Sequence, residues 1–238
     1  MTTATQTHEP TWERLPAPYP DLVIAPDEPF PALAHLSLRL KTYRHLLATR
    51  VAGPAGRSLL DLGAGPGHFA RIASRQGFAV TAVDAREPWT LTGQTSARQI
   101  REYDFVQMDL RKFDRLRDFD VIAMIGVIYH LPLEDQLGLL AACRGKVVII
   151  DTEIYDPSAI AADRQHRFTR RTTAEGYAGA DCLERGEVYS SHLNPSSFWF
   201  EEESFARAIA DLGFPRVTVL DPPYRSAFGP RRWYVLDG

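Results

Sequence analysis

The amino-acid sequence predicts an α/β fold in which a mostly parallel sheet is flanked by helices. Apolar, strand-like segments alternate with segments of helical spacing along most of the chain. Residues 120–125 (DVIAMI) are apolar almost without interruption, which is typical of a strand buried on both faces. Residues 59–69 (LLDLGAGPGHF) carry an apolar strand directly into a glycine-rich turn that opens a helix. With 238 residues, 45% of them hydrophobic, the chain can form one substantial core, and we expect one domain.

The order of the elements follows from periodicity and from the turn residues. Residues 1–31 are rich in proline and lack a period, which predicts an irregular arm with a mobile start, and residues 32–51 have helical spacing. We therefore divide the chain into an arm with a pre-core helix (1–54) and a core (55–238). The predicted core strands are 59–62, 79–83, 105–110, 120–125, 146–150, 217–220 and 233–236, and the predicted helices are 69–76, 132–142 and 202–212. Residues 152–202 interrupt the alternation, with an Arg-rich turn or helix at 164–171, and are predicted to form a substrate-side insertion.

The glycine turn has the spacing of a nucleotide-type site. Gly63 permits a tight turn with positive φ, Gly65 lets a ligand approach bare backbone, and Gly67 stands where the next helix comes close to its strand. A dinucleotide fingerprint would need glycine or alanine at position 68, which is His68, so hydride chemistry is disfavoured. Asp84 ends the next predicted strand, where a carboxylate can accept both hydroxyls of a ribose.

The pattern Asp61-x-Gly63-x-Gly65-x-Gly67 resembles motif I of the class I S-adenosylmethionine-dependent methyltransferases. The resemblance implies a Rossmann-like, seven-stranded sheet whose last strand is antiparallel and forms a hairpin with the one before. It implies S-adenosylmethionine as cofactor, and Asp109, at the end of the third strand, as the acid that faces the adenine amino group; the alternative for Asp109 is an ordinary helix cap. The candidate cofactor-binding residues are Asp61, Gly63, Ala64, Gly65, Gly67, Asp84, Ala85, Arg86, Asp109, Leu110 and Ile125.

His130 is the candidate catalytic residue. It follows the strand at 120–125, where many small-molecule methyltransferases carry a polar residue near the transferred methyl, and a histidine can accept a proton near neutral pH. The alternative is that His130 caps the helix near Pro132 or donates to a nearby carbonyl. The candidate substrate-binding residues are Tyr129, Glu153, His166, His192 and Trp199, of which those in the insertion have surface or packing roles as alternatives.

The charge balance favours a small substrate. The net charge of −3 gives no global reason for a polyanionic partner, although the arginine-rich run 164–171 could meet tRNA phosphates. Residues 125–130, 194–198 and 212–214 broadly resemble a branch that contains small-molecule methyltransferases and enzymes that modify wobble uridine in tRNA. We therefore predict methyl transfer to a small polar metabolite, with specialised metabolism as one setting. The alternatives are a tRNA-modifying enzyme and a non-catalytic adenosyl-binding interaction module.

The two cysteines, Cys143 and Cys182, have neither disulfide nor metal spacing, so we expect no metal site and a cytoplasmic location. The first ten residues lack a basic stretch followed by an apolar one, and no run is long enough to span a bilayer, so we expect an unexported protein without a membrane partner. The sequence leaves the oligomeric state open.

Overall fold

A nine-stranded sheet forms the centre of the molecule. The computed structural model describes residues 9–16, 32–51, 53–87, 93, 103–186, 191–220, 225–226 and 228–238. The strands of this sheet are β1 (Thr11–Leu15), β2 (Ser58–Leu62), β3 (Ala79–Asp84), β4 (Asp104–Gln107), β5 (Val121–Ile125), β6 (Val147–Glu153), β10 (Arg216–Leu220), β11 (Arg225–Ser226) and β12 (Gly229–Asp237). A second, three-stranded sheet contains β7 (Phe168–Thr172), β8 (Ala178–Leu183) and β9 (Ser196–Phe200).

The strand order creates a ligand crevice. Along the main sheet the order is β1-β10-β12-β6-β5-β2-β3-β4, and β11 pairs with β12 outside this path. β12 is antiparallel to β6 and β10, and the other pairs along the path are parallel, so the predicted antiparallel last strand and closing hairpin are confirmed. The order reverses between β2 and β5, where the carboxyl ends of parallel strands open a crevice. The turn at Gly63 and the turn at Gly126 both lie there.

The expected count of seven strands is wrong, because eight strands lie along this path. The additional strand is β1, which comes from the segment predicted as an irregular arm and pairs in parallel with β10 at the sheet edge. Its side chains are mostly exposed, so the segment carries no apolar signal. Backbone pairing with β10 holds the strand, and two ion pairs accompany it: Arg50 Nη1 lies 2.7 Å from Glu13 Oε2, and Arg14 Nη2 lies 2.5 Å from Glu202 Oε1. The rest of the predicted arm, residues 1–8 and 17–31, lies outside the described residues.

Helices cover both faces of the sheet. Those that lie wholly within the described ranges are α1 (Ala32–Arg50), α2 (His68–Arg75), α3 (Leu133–Ala142) and α4 (Glu202–Asp211). Tyr43 of α1 and Phe69 of α2 pack with one set of sheet residues, and Phe205 of α4 packs with the other set. Within β5, Ile122 and Met124 join one core cluster, whereas Val121, Ala123 and Ile125 join the other. Burial on both faces explains why this strand is apolar without alternation. The expected boundary at residue 54 stays a prediction.

Parts of the segment predicted as an insertion form strands. β6 continues to Glu153 instead of ending near residue 150, because its last residues pair with Arg231 and Arg232 of β12. The expected arginine-rich turn or helix is one 3₁₀ turn, Gln165–Arg167, which leads directly into β7. The three antiparallel strands β7–β9 then connect to the main core, where the backbone N–H of Phe198 donates to the carbonyl of Leu131 at 3.0 Å.

Candidate functional site

A cavity of about 630 Å³ opens at the carboxyl ends of β2, β3 and β5. The glycine turn after β2 and the end of β3 form one wall, and the segment after β5 forms the opposite wall. The cavity is lined by Leu36, Arg39, Gly63, Ala64, Gly65, Pro66, His68, Phe69, Val83, Asp84, Ala85, Arg86, Met108, Asp109, Leu110, Arg111, Ile125, Gly126, Val127, Tyr129, His130, Leu131, Ser191, His192, Asn194 and Arg231. Nine of the eleven predicted cofactor residues are among them; Asp61 and Gly67 are not.

The three glycines of the turn have positive φ for different reasons. A Cβ on Gly63 (φ 71°) would lie 2.5 Å from Val127 Cγ2, so this position needs glycine for packing. A Cβ on Gly67 (φ 83°), immediately before α2, would meet the hydroxyl of Tyr103. A Cβ on Gly65 (φ 54°) would meet no atom of the described protein within 4 Å. Gly65 therefore exposes bare backbone to the cavity.

Asp84 lies beside this bare backbone. Gly65 N–H donates to its Oδ2 at 2.8 Å, and Arg86 N–H donates to its Oδ1 at 2.9 Å. A carboxylate oxygen can accept more than one hydrogen bond. The end of β3 thus holds an acceptor group at the cavity wall.

Asp109 lines the cavity, but the expected strand does not reach it. β4 ends at Gln107, and Asp109 caps the 3₁₀ turn Leu110–Lys112 by accepting from Arg111 N–H at 3.0 Å. The Arg111 guanidinium also binds this carboxylate, with Nη2 to Oδ2 at 2.5 Å, and lowers its pKa. Asp109 is therefore a cap as well as a cavity residue.

Asp61 lies beneath the glycine turn and is fully buried. Burial raises its pKa to about 7, although the backbone N–H of Ala70 donates to it. Its Oδ2 has no hydrogen-bond partner among the described residues, and neither does the nearby buried Tyr43 hydroxyl. Asp61 therefore accepts a hydrogen bond from the helix after the turn and does not line the cavity.

His130 and Tyr129 lie on the opposite wall, in a 3₁₀ turn that follows β5. Their rings are 4.3 Å apart, and His130 Nδ1 lies 3.2 Å from Glu184 Oε1. Burial raises the pKa of Tyr129. His130 does not cap the helix that follows: the residue before α3 is Pro132, with no side-chain cap.

Three residues expected to bind substrate do not line the cavity, whereas His192 and Tyr129 do. Glu153 is buried in an ion pair with Arg231. His166 is paired with Arg185 in the insertion, with Nε2 to Nη2 at 2.5 Å. Trp199 is packed in an aromatic cluster, 4.9 Å from the Tyr129 ring.

A buried ion network forms part of the cavity wall and was missed from the sequence. Arg231 binds Asp151 through Nε at 3.0 Å and Nη2 at 2.9 Å, and it also binds Glu153. Arg39 of α1 reaches the same Asp151, with Nε to Oδ2 at 2.6 Å. The two acids raise the pKa of Arg231 against the opposing effect of burial. The cavity residues Arg39 and Arg231 gave no motif signal, because their acidic partners are distant in the sequence.

A family described as "Methyltransferase domain" matches residues 33–218, which is most of the chain. The chain belongs to this methyltransferase family. The resemblance to S-adenosylmethionine-dependent methyltransferases and the predicted enzyme class are thereby confirmed. None of the described helices of this methyltransferase is long and apolar enough to cross a membrane.

Two relatives of the chain are named for different substrates. The ubiquinone biosynthesis O-methyltransferase of Acinetobacter baumannii (strain AYE) is 26% identical over 99 residues, which is 40% of this chain and 41% of that protein. The ribosomal RNA large subunit methyltransferase E of Wolbachia sp. subsp. Brugia malayi (strain TRS) is 32% identical over 74 residues, 29% of this chain and 30% of that protein. The match thus spans less than half the length of either relative.

Among solved structures, the N-terminal domain of EvdMO1 with S-adenosylhomocysteine bound superposes with a TM-score of 0.62 at 19% identity. The superposition covers 83% of this chain and 79% of that chain. This likeness supports the Rossmann-like fold.

Proposed function

We propose that this methyltransferase transfers a methyl group from S-adenosylmethionine to a small polar metabolite. The observation that carries the proposal is the single cavity that joins the glycine turn and Asp84 to Tyr129 and His130 on the facing wall. One wall offers the features expected for an adenosyl group, and the other offers a polar, ionisable surface to a second molecule.

The cofactor wall fits S-adenosylmethionine. The open space at Gly65 allows a ligand to contact the backbone. The Asp84 carboxylate lines the cavity at the end of β3, where an acid of this kind accepts the ribose hydroxyls of an adenosyl group. Asp109 lies along the same wall. The cofactor, when bound, supplies an electrophilic methyl group on a sulfonium. The residues of this chain then hold the acceptor in line with that methyl, and positioning alone can contribute several kcal/mol to the rate.

The acceptor wall fits a small polar molecule better than a nucleic acid. Three of the four arginines that line the cavity are paired with acids: Arg39 binds Asp151, Arg231 binds Asp151 and Glu153, and Arg111 binds Asp109. The fourth, Arg86, donates to the carbonyl of Ser191 and lies beside Asp84. A wall without excess positive charge has no electrostatic preference for a phosphate backbone.

The arginine-rich run, the main argument for tRNA, is engaged within the protein. Arg170 binds Glu201 and Arg171 binds Asp181, at 2.8 and 2.5 Å. Arg167 donates to the carbonyl of Leu183, and its guanidinium lies over the ring of Phe228. These contacts give the run a structural role within the insertion.

RNA modification is the second candidate, because one relative is named as a ribosomal RNA methyltransferase.

We also propose a cytoplasmic location, which the two buried free cysteines fit. The acceptor is proposed to bind between the segment after β5, the N-terminal arm and the insertion. Most of that arm lies outside the described residues.

The test is methyl transfer from labelled S-adenosylmethionine into a cell extract that is then separated into metabolite and RNA fractions. The proposal expects label in a soluble metabolite with the wild type, and less label with a Gly65→Ala variant when S-adenosylmethionine is limiting. Label that enters RNA alone would favour the second candidate. The absence of label from every fraction, while S-adenosylhomocysteine still binds, would favour a non-catalytic adenosyl-binding module.

His130 is proposed to accept the proton of the acceptor group. We expect His130→Ala to lower turnover by about 100-fold or more, in the range of general base catalysis, and to change the affinity for S-adenosylhomocysteine by less than about twofold. Single-turnover kinetics and calorimetry measure the two quantities. A variant that loses affinity for the cofactor but keeps its turnover at saturation would contradict this role.

A further inference from the structure

We propose that Glu184 is a positioning residue that holds neutral His130 with its proton on Nδ1 and its lone pair on Nε2. The inference deepens the proposed function and rests on it, since it assigns the reacting atom of His130 and the class of acceptor. Glu184 follows β8 in the insertion, and its side chain is only 2% exposed. No motif in the sequence points to it.

One group donates to each oxygen of the Glu184 carboxylate. The backbone N–H of Ser191 donates to Glu184 Oε2 at 2.9 Å. The Ser197 hydroxyl donates to Glu184 Oε1 at 2.6 Å, and its oxygen accepts from the indole N–H of Trp199 at 3.3 Å. Both carboxylate oxygens therefore accept, as an ionised carboxylate does.

This arrangement sets the tautomer of His130. Its Nδ1 lies 3.2 Å from Glu184 Oε1, an atom that accepts from Ser197 and has no hydrogen to give. Nδ1 must therefore carry the hydrogen, and in a neutral imidazole Nε2 then carries the lone pair. No partner for Nε2 lies among the residues that the structure describes, and the ring lines the cavity.

The backbone of His130, like its ring, is hydrogen-bonded to the insertion. Asn194 Nδ2 donates to the His130 carbonyl at 3.0 Å and to the Ser196 carbonyl at 2.8 Å. The Tyr129 ring packs beside the imidazole, and the Arg231 guanidinium lies 5.4 Å from the centre of that ring. The insertion thus supplies both the acid and the amide that orient a histidine of the main core.

A lone pair on His130 Nε2 favours a methyl acceptor that loses a proton during the reaction. The acceptor oxygen or nitrogen donates its electron pair to the methyl carbon, so that a C–O or C–N bond forms as the C–S bond breaks and sulfur keeps the bonding pair. The acceptor proton passes to His130 Nε2, and the resulting imidazolium is opposed by the charge of Glu184. A hydroxyl or an N–H acceptor satisfies this balance.

Nitrogen-15 NMR of the histidine-labelled protein, at a pH where imidazole is neutral, tests the tautomer directly. A His130→Asn variant assigns the signal. We expect the Nδ1–H form in the wild type and a rise of the Nε2–H form in Glu184→Gln. The glutamine amide cannot accept from Ser191 and His130 at the same time, because one of its two positions is now a donor.

Glu201→Gln is the matched control. Glu201 binds Arg170 of the insertion at 2.8 Å and does not line the cavity, and the expected result for this variant is the wild-type tautomer. The Nε2–H form in the wild type would overturn the proposal. The wild-type measurement decides it even if the Glu184 variant does not fold.

Kinetics separate this proposal from the proposed function. With labelled S-adenosylmethionine and the metabolite fraction, we expect Glu184→Gln to lower turnover by about tenfold or more at unchanged S-adenosylhomocysteine affinity, and Glu201→Gln to lower it by less than about twofold. Equal turnover in the two variants would overturn the role of Glu184. A wild type that transfers no methyl to any acceptor would instead refute the proposed function, whatever its tautomer.

Discussion

Gly65→Ala tests whether a ligand contacts the backbone of the glycine turn, and the chain supplies a matched control. Gly65 has φ 54° and Gly53 has φ 55°, and a Cβ at either position would meet no described atom within 4 Å. Gly65 lines the cavity, whereas Gly53 lies in an exposed turn before β2. The two substitutions therefore impose the same backbone strain, and only one of them alters the cavity.

The strain is about 1–2 kcal/mol for an alanine in the left-handed region. A loss of that size lowers the melting temperature of a protein of this length by about 2–8 °C, and we expect it in both variants. In the complex, the new methyl group at Gly65 would occupy space needed by the ligand. Overpacking of this kind costs about 1–3 kcal/mol, which is roughly a 5- to 150-fold loss of affinity in Gly65→Ala alone.

Calorimetric titration with S-adenosylhomocysteine measures the affinity, and thermal unfolding measures the shared strain. Wild-type affinity in Gly53→Ala and weakened affinity in Gly65→Ala are the expected results. Equal affinities in the two alanine variants, both folded, would refute the placement of the ligand against Gly65.

Three further predictions concern acids and a cation of the site. Asp84→Ala should weaken S-adenosylhomocysteine binding by about 1–3 kcal/mol in calorimetry, because the ribose hydroxyls lose their acceptor; unchanged affinity would contradict this. Arg231→Met should lower the free energy of unfolding by about 3–5 kcal/mol in urea, since Asp151 and Glu153 stay buried without their shared cation; a loss under 1 kcal/mol would argue against the network. For Asp61, burial raises the folded-state pKa to about 7, above its unfolded value, so the wild type loses stability as pH rises towards 7. The stability of Asp61→Asn relative to wild type should rise by about 2–3 kcal/mol from pH 5 to pH 8, and a difference that does not vary with pH would refute the raised pKa.

Local sequence patterns predicted that the glycine turn and Asp84 lie at one site. The glycines of the turn and Asp84 lie within one strand–turn–helix–strand unit, where the backbone conformation determines which residue types fit. The packing reason for Gly67 was not predictable, because Tyr103, which a Cβ there would meet, is distant in the sequence.

Features that depend on distant contacts could not be predicted from the sequence. β1 has exposed side chains and is held at the sheet edge by backbone pairing with residues about 200 positions later, so it carries no apolar pattern. Glu184 and His130 are 54 positions apart, and Arg39 and Asp151 are 112 positions apart. Each pair is assembled by the tertiary fold, so no local pattern shows that its two residues meet.

The central claim is that one cavity holds the adenosyl group at Asp84 and presents the acceptor to His130. A crystal structure of the complex with S-adenosylhomocysteine tests it most directly. We predict that the ribose hydroxyls lie within hydrogen-bond distance of the Asp84 carboxylate and that the ligand contacts the backbone of Gly65. We also predict that the sulfur is directed towards the wall that carries His130. A ligand bound outside this cavity, or bound with its sulfur directed away from His130, would contradict the account.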